Sequence, residues 1–260
     1  MPRQARLFSA AGIYHVFFRG INKSKIFHDN QDCYYLLQVL EKVKKKTEYQ
    51  LHAYCLMVNH AHLLIKAEGK QLSDVMKLIL QMYASYFNRR YKRVGHVFQD
   101  RYRSEVIDSE RYFMACARYI HNNPVTSKMA RLPQDYRWSS YPHYLNPRPH
   151  PLLNTELLMS CFGSNQRQAI SALQEYTSQE SQEAFIDCED DLQAVVEQIL
   201  TQHGITPSSF KKIPPATRQR LIAELWKATN LSARAISEII GINKNIVCTA
   251  ISQAKRTKTS

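Results

Sequence analysis

Residues 59–65 read NHAHLLI, two histidines one residue apart leading into an apolar run. Side chains alternate across a strand, so His60 and His62 share one face, while Ala61, Leu63 and Ile65 share the other. By the strand rise the two imidazoles stand roughly 6 to 7 Å apart at Cα. At that spacing both can reach one divalent ion, and equally both can be satisfied histidines in a cleft. A second group lies in ARYIHNNPV (117–125). Tyr119 and Asn123, four apart, fall on one face at the end of a helix. A phenol, with a pKa near ~10, is a poor nucleophile unless a metal or base assists it. An amide oxygen is a hard ligand. A cation held by His60, His62 and Asn123 keeps positions open for phosphate oxygens and water, which suits Mg²⁺ or Mn²⁺ as a Lewis acid on a phosphodiester. Tyr119 then has an in-line path to phosphorus. The plain alternative makes Tyr119 a packing residue beside a helix end.

Two further stretches point to nucleic acid. YFNRRYKRVGHVFQDRYR (86–103) interleaves five aromatic rings with Arg89, Arg90, Lys92, Arg93, Arg101 and Arg103. Cations track phosphates, and aromatic faces stack on unpaired bases at roughly 1 to 3 kcal/mol each. Lys23 and Lys25 can extend this groove. Near the C-terminus, with Gly241 as the turn glycine, Ile236, Ile240, Ile242, Val247 and Ala250 fall where two crossed helices meet. The last helix then presents Lys244, Asn245, Thr249, Ser252 and Gln253 to a major groove, the arrangement of a helix-turn-helix. A small helical bundle without DNA contacts is the alternative.

The elements that must position these residues are legible from periodicity. GIYHVFFR (12–19) alternates as a strand, with Tyr14, Val16 and Phe18 on one face and His15, Phe17 and Arg19 on the other. Asp29–Lys46 is expected to be a helix with Leu36, Leu37, Leu40 and Val43 as its stripe. Two strands, near 50–57 and 60–66, flank a tight turn at Val58–Asn59. A helix over 71–93, a short strand over 104–107 and a helix from Glu110 to about Asn122 follow; Pro124 is expected to end the last, because the residue before proline avoids the α region. The order β-α-β-β-α-β-α predicts an α+β fold, an antiparallel sheet with helices on one face in a split βαβ, ferredoxin-like arrangement. The proline-rich NPRPHP (146–151) suggests a boundary. We expect a catalytic domain over 1–146, an acidic helical connector over 147–210, and a small all-α helix-turn-helix domain over 211–260, after a second break at KKIPP (211–215).

Charge follows the same division. The 260-residue chain carries a net +13. Residues 1–150 hold 24 Lys and Arg against 11 Asp and Glu, residues 151–200 hold 1 against 9, and residues 211–260 hold 10 against 2. Two basic blocks around an acidic spacer suggest two contacts with a polyanion. The six cysteines are scattered with no CxxC pair, so zinc-knuckle and redox-motif chemistry find no support. No stretch approaches the ~18 to 20 apolar residues of a spanning helix. The N-terminal residues lack the apolar region of a secretion signal, so no membrane association and a cytoplasmic location are expected.

The strings HAYCLMVNHAHLLIKAEG, YFNRRYKRVGHVFQDRYRS, RYIHNNPV and YRWSSYPHYL together resemble the single-tyrosine HUH transposases, in particular the REP-associated tyrosine transposase group. The resemblance covers about residues 10–145. It implies a single-strand DNA endonuclease and strand-transfer enzyme acting on hairpin or palindromic DNA. Carried over by position, it implies His60, His62 and Asn123 as ligands of Mg²⁺ or Mn²⁺, and Tyr119 as the nucleophile that forms a 5′-phosphotyrosine and frees a 3′-hydroxyl. Where the family usually has MPNH this chain reads MVNH, which bears on turn rigidity rather than chemistry. The small Ala61 stands where many relatives carry a larger residue. Two other readings remain at this point: a catalytically silent DNA-binding regulator, and a small replication-type nickase. The repeat recognised, and a monomeric or homodimeric active form, are not written in the residues.

Overall fold

The computed structural model describes residues 9, 11–68, 71–146, 148–179, 185, 196, 199–206, 209–229 and 233–256. Four strands, β1 (Ile13–Arg19), β2 (Gln50–Met57), β3 (His60–Lys66) and β4 (Arg103–Ile107), form one sheet in the order β2-β3-β1-β4. Every neighbouring pair is antiparallel. β1 and β3 are joined through helix α1 (Asn30–Thr47) and β2; helix α2 (Gln71–Arg90) links β3 to β4. This is the expected α+β, split βαβ topology.

Alternation divides the sheet as the sequence predicts. Tyr14, Val16 and Phe18 of β1 join Ala61, Leu63 and Ile65 of β3 in one core with Leu36, Leu40 and Val43 of α1 and Val75, Met76, Ile79 and Tyr83 of α2. Those two helices lie on the expected face. A third helix, α3 (Glu110–Thr126), crosses the opposite face, where its Tyr119 meets the rings of His15 and His62. The face that strand alternation turns away from the main core is thus roofed by the helix that carries the tyrosine.

α3 begins where expected: Ser109 is its N-cap, accepting from the Tyr112 N–H. It does not end at Asn122. The helix runs through Pro124 to Thr126. A proline in the last turn forfeits only its own bond to the carbonyl four residues back, and the turn continues through the Ser127 N–H donating to the Asn123 carbonyl. Asn123 therefore keeps helical register with Tyr119. α2 stops at Arg90 rather than Arg93, because Lys92 takes a left-handed φ of 50° and the Arg93 N–H closes the end on the Asn88 carbonyl.

The chain forms two compact units, residues 1–183 and 184–260. The boundary thus falls inside the stretch read as an acidic connector, and residues 148–179 belong to the first unit. Lys44 Nζ donates to the Leu152 carbonyl and to Asn154 Oδ1, both at 2.7 Å. Leu152 and Leu153 join the main core. After the short helices α4 (Tyr141–Leu145) and α5 (Glu156–Ser160), helix α6 (Gln166–Ser178) packs behind α3: Asn122 Nδ2 donates to the Thr177 carbonyl, and the Arg118 guanidinium lies 4.2 Å from the Tyr176 ring centre. What looked like a spacer braces the site helix.

In the second unit, α7 (Pro215–Thr229), α8 (Ala233–Ile240) and α9 (Lys244–Arg256) bury Leu221, Ile222, Leu225, Ile236, Ile240, Ile242, Val247, Ala250 and Ile251 together. Gly241 turns the chain between α8 and α9 with φ of 65°, and Asn243 caps α9 by accepting from the Asn245 N–H at 2.8 Å. Ile246 is exposed. Residues 230–232, which precede α8, lie outside the described residues.

Candidate functional site

β3 enters the sheet through the Val58–Asn59 turn. That turn is stapled from both sides: the Gly20 N–H donates to the Asn59 carbonyl, and the N–H groups of Ile26 and Phe27 both donate to the Val58 carbonyl. Gly20 is required by crowding, since a Cβ there would stand 2.2 Å from the Ser24 carbonyl oxygen. His60 and His62 then follow on the α3 side of the sheet, with ring centres 5.0 Å apart and planes nearly perpendicular.

Asn123 reaches down from α3 between them. Its Nδ2 lies 3.3 Å from His62 Nε2, and its side chain also bonds to His60. Tyr119, one turn earlier on α3, stands edge-on to His62 with ring centres 5.7 Å apart. The structure thus brings together all four residues that the sequence singled out for chemistry, although they lie almost sixty positions apart. His62 and Asn123 are buried, while His60 and Tyr119 are partly open to solvent.

Both imidazoles are held neutral. Burial pushes His60 down to about 4, helped by the positive charge of Arg19, while Asn123 pulls weakly the other way. Burial, then the neighbouring His60 and His15, push His62 well below the ordinary histidine range. A neutral imidazole has one N–H and one lone pair. His60 Nδ1 lies 2.7 Å from Asn59 Oδ1 and must donate to it, which leaves the lone pair on Nε2. His62 Nε2 likewise faces an amide. Two imidazole lone pairs and an amide oxygen form a donor set suited to a divalent cation. Among the described residues no group of three His, Cys, Asp or Glu side chains is arranged to hold a metal ion. A site here therefore needs the amide as its third protein donor.

Three residues of this face were not singled out by sequence reasoning. His15 is buried against His62, with Nε2 3.1 Å from His62 Nδ1. Glu105, opposite His15 across β1 and β4, approaches His15 Nδ1 at 3.6 Å. Arg19 lies opposite His60 across β1 and β3, and its buried Nε has no hydrogen-bond partner. Their signal was present: alternation in YHVFFR puts His15 and Arg19 on one face. Only the strand order, however, puts that face beside His60 and His62.

The basic stretch sorts into two groups. Arg90 is occupied. It bonds Asp29 at 2.6 and 3.0 Å, Asp32 at 2.6 Å and the Tyr86 hydroxyl at 2.8 Å. Asp32 is fully buried and also accepts from the hydroxyls of Tyr86 and Tyr91 and from the His28 N–H. Arg90 is thus engaged in a network of two carboxylates and a tyrosine hydroxyl, which sets it apart from the other cations expected to contact DNA. Arg89, Lys92, Arg93, Arg101 and Arg103 are exposed. Arg103 pairs across from Phe17, on the same sheet face as His62. The loop between α2 and β4 is tied to the end of β1 by the Ile21 N–H to the Val97 carbonyl and the Gln99 N–H to the Arg19 carbonyl. These ties hold the basic loop at the His60 end of the sheet. In the second unit, Asn245 and Thr249 are exposed and Lys244 is half-buried; the Thr249 hydroxyl is engaged by its own helix, donating to the Asn245 carbonyl.

Fold and site together define an α+β domain with a histidine, amide and tyrosine cluster between the sheet and its roofing helix. Residues 9–123, somewhat under half of the chain, match the family described as IS200-like transposases. The matched span ends on Asn123. One solved structure, described as a REP-associated tyrosine transposase bound to a REP hairpin, is 19% identical; the similarity covers 57% of this chain and 89% of that one, with a TM-score of 0.48. No curated protein matches the chain. Among the described residues, no helix is long and apolar enough to cross a membrane.

Proposed function

We propose that this chain cuts and rejoins single-stranded or hairpin DNA through a covalent link to Tyr119, and that it belongs with the REP-associated tyrosine transposases its motifs resemble. The observation that carries this reading is the convergence of His60, His62, Asn123 and Tyr119 on one face of a domain that matches a transposase family. His60, His62 and Asn123 would hold Mg²⁺ or Mn²⁺, which when bound polarises the scissile phosphodiester. Tyr119 Oη attacks phosphorus and the bond to the 3′-oxygen breaks. The phenol gives up its proton, the 3′-oxygen gains one, and the 5′-phosphate stays on the protein. Low pKa values keep His60 and His62 neutral and able to donate lone pairs at neutral pH. The exposed cations of the α2–β4 loop would lie along the strand, and α9 would give a second, duplex contact through Lys244 and Asn245, with Thr249 beside them.

The test is cleavage of a hairpin-bearing single-stranded oligonucleotide, drawn from palindromic repeats flanking the gene, by the full chain with Mn²⁺. Protein should remain on the 5′ end of the product. Tyr119→Phe should bind the hairpin as the parent does and form no adduct. An adduct on the phenylalanine variant would assign the nucleophile elsewhere.

A further inference from the structure

The buried pair His15–His62 has a geometry that fixes protons. The two rings are stacked, with centres 5.3 Å apart and planes 21° from parallel, and His15 Nε2 is 3.1 Å from His62 Nδ1. In that contact one nitrogen carries the proton and the other accepts it. Both ends of the chain select the same direction. Glu105 lies 3.6 Å from His15 Nδ1, an ion-pair approach rather than a hydrogen bond, and its negative charge favours the N–H on that side and the lone pair at Nε2. His62 must then donate from Nδ1 and keep its lone pair at Nε2. At that end the Asn123 amide nitrogen, a donor, lies 3.3 Å away.

Glu105 is itself held. The Tyr112 hydroxyl donates to Glu105 Oε1, and burial, then the charge of Glu105, raises the Tyr112 phenol above its ordinary range, so it stays a donor. Tyr112 lies on α3, seven residues before Tyr119. The helix that brings the tyrosine and the amide therefore also anchors the far end of the chain Glu105–His15–His62.

We propose that Glu105 and His15 form a positioning relay that holds His62 as its Nδ1–H tautomer, aiming the Nε2 lone pair at Asn123 and the shared cation. Metal-bound histidines commonly donate their other N–H to a carboxylate or carbonyl, and loss of that partner costs roughly 10- to 100-fold in affinity. Here the carboxylate acts through an intervening imidazole, which spans three strands of the sheet.

The inference rests on the metal site proposed above, so the experiment has one arm that needs no metal. In metal-free full-length protein labelled with ¹⁵N-histidine, the long-range ¹⁵N–¹H spectrum should show His62 protonated at Nδ1 and bare at Nε2. His62 protonated at Nε2 would overturn the relay. In the second arm, Mn²⁺ binding is followed by the loss of its free paramagnetic signal. His15→Phe should weaken it by roughly 10- to 100-fold, and His15→Gln, which keeps an acceptor, should recover most of the loss. Parent-like Mn²⁺ affinity in His15→Phe also overturns the relay. Should His15→Phe unfold more readily, Glu105→Leu at the partly exposed strand position decides in its place: weakened Mn²⁺ binding supports the relay and unchanged binding rejects it. A parent protein with the Nδ1–H tautomer that binds no Mn²⁺ supports the relay and rejects the metal reading alone.

Discussion

Arg90 and Arg103 look alike in the sequence, and the structure gives them opposite consequences on removal. Arg90 spends its guanidinium on two carboxylates and a tyrosine hydroxyl. Arg103 extends from β4, exposed, on the sheet face that carries His62. Each phosphate neutralised by a protein cation adds roughly 0.7 to 0.9 to the slope of log affinity against log salt. Arg103→Ala should flatten that slope by about this much. Between 50 and 200 mM salt the parent should therefore lose about threefold more affinity than the variant. Arg90→Ala should leave the slope unchanged and instead lower the melting temperature, because Asp32, fully buried, loses the cation it faces. The assay is fluorescence anisotropy of a labelled hairpin oligonucleotide across the salt series, paired with thermal melting by circular dichroism. If Arg90→Ala flattens the slope as much as Arg103→Ala does, the assignment of Arg90 to the interior network is wrong. If Arg103→Ala changes nothing, the strand does not run along this face.

Gly20→Ala should destabilise the first unit by roughly 1 to 3 kcal/mol, the usual range for overpacking, since its Cβ would meet the Ser24 carbonyl oxygen at 2.2 Å and Ile26 Cγ2 at 2.8 Å; urea denaturation gives the number, and a shift near zero would show that the turn gives way. Burial holds His121 down to about 3 against an ordinary 6.5, so the unfolded chain binds the extra proton between those values. Stability should then rise with pH from about 3 to 6.5 and level off above, with His60, held near 4, adding to the slope over part of the same window; melting temperatures that rise as the pH falls through 6 would contradict this sign. Replacing Lys244 and Asn245 with alanine should weaken binding to duplex next to the hairpin, whereas Thr249→Ala should change it little, because that hydroxyl already serves its own helix; equal losses would mean α9 approaches DNA differently.

Much of this was legible from residue order because local rules governed it. Two-residue alternation fixed which side of β1 and β3 faces the core, and the spacing of Tyr119 and Asn123 fixed their common face. The basic turn region and the Gly241 turn carried their own signals. The end of α3 was misjudged because the rule for the residue before proline is a local preference. It was overridden by a buried last turn in which Asn123 bonds to His62 and His60 and Pro124 is itself buried. The acidic connector was misjudged for a related reason. Net charge describes a solvent-facing surface, and residues 148–179 attach through Leu152, Leu153 and Asn154, none of them charged, with Lys44 of α1 as their partner.

Arg90 and His15 show where residue order stops being informative. A charged or titratable side chain has a meaning only once its partners are known, and those partners lie on other elements. Asp29 and Asp32, at the start of α1, claim Arg90 from the end of α2. Glu105 on β4 and His62 on β3 claim the two nitrogens of His15 because β1 runs between those strands. In a sheet ordered by sequence β1 would lie at an edge, and no side chain on it could connect the other two. The split βαβ crossover thus does more than close a core. It inserts the strand bearing His15 and Arg19 between the strand bearing the paired histidines and the strand bearing Glu105 and Arg103. One face then gathers the proposed ligands, the groups proposed to orient them and the exposed Arg103.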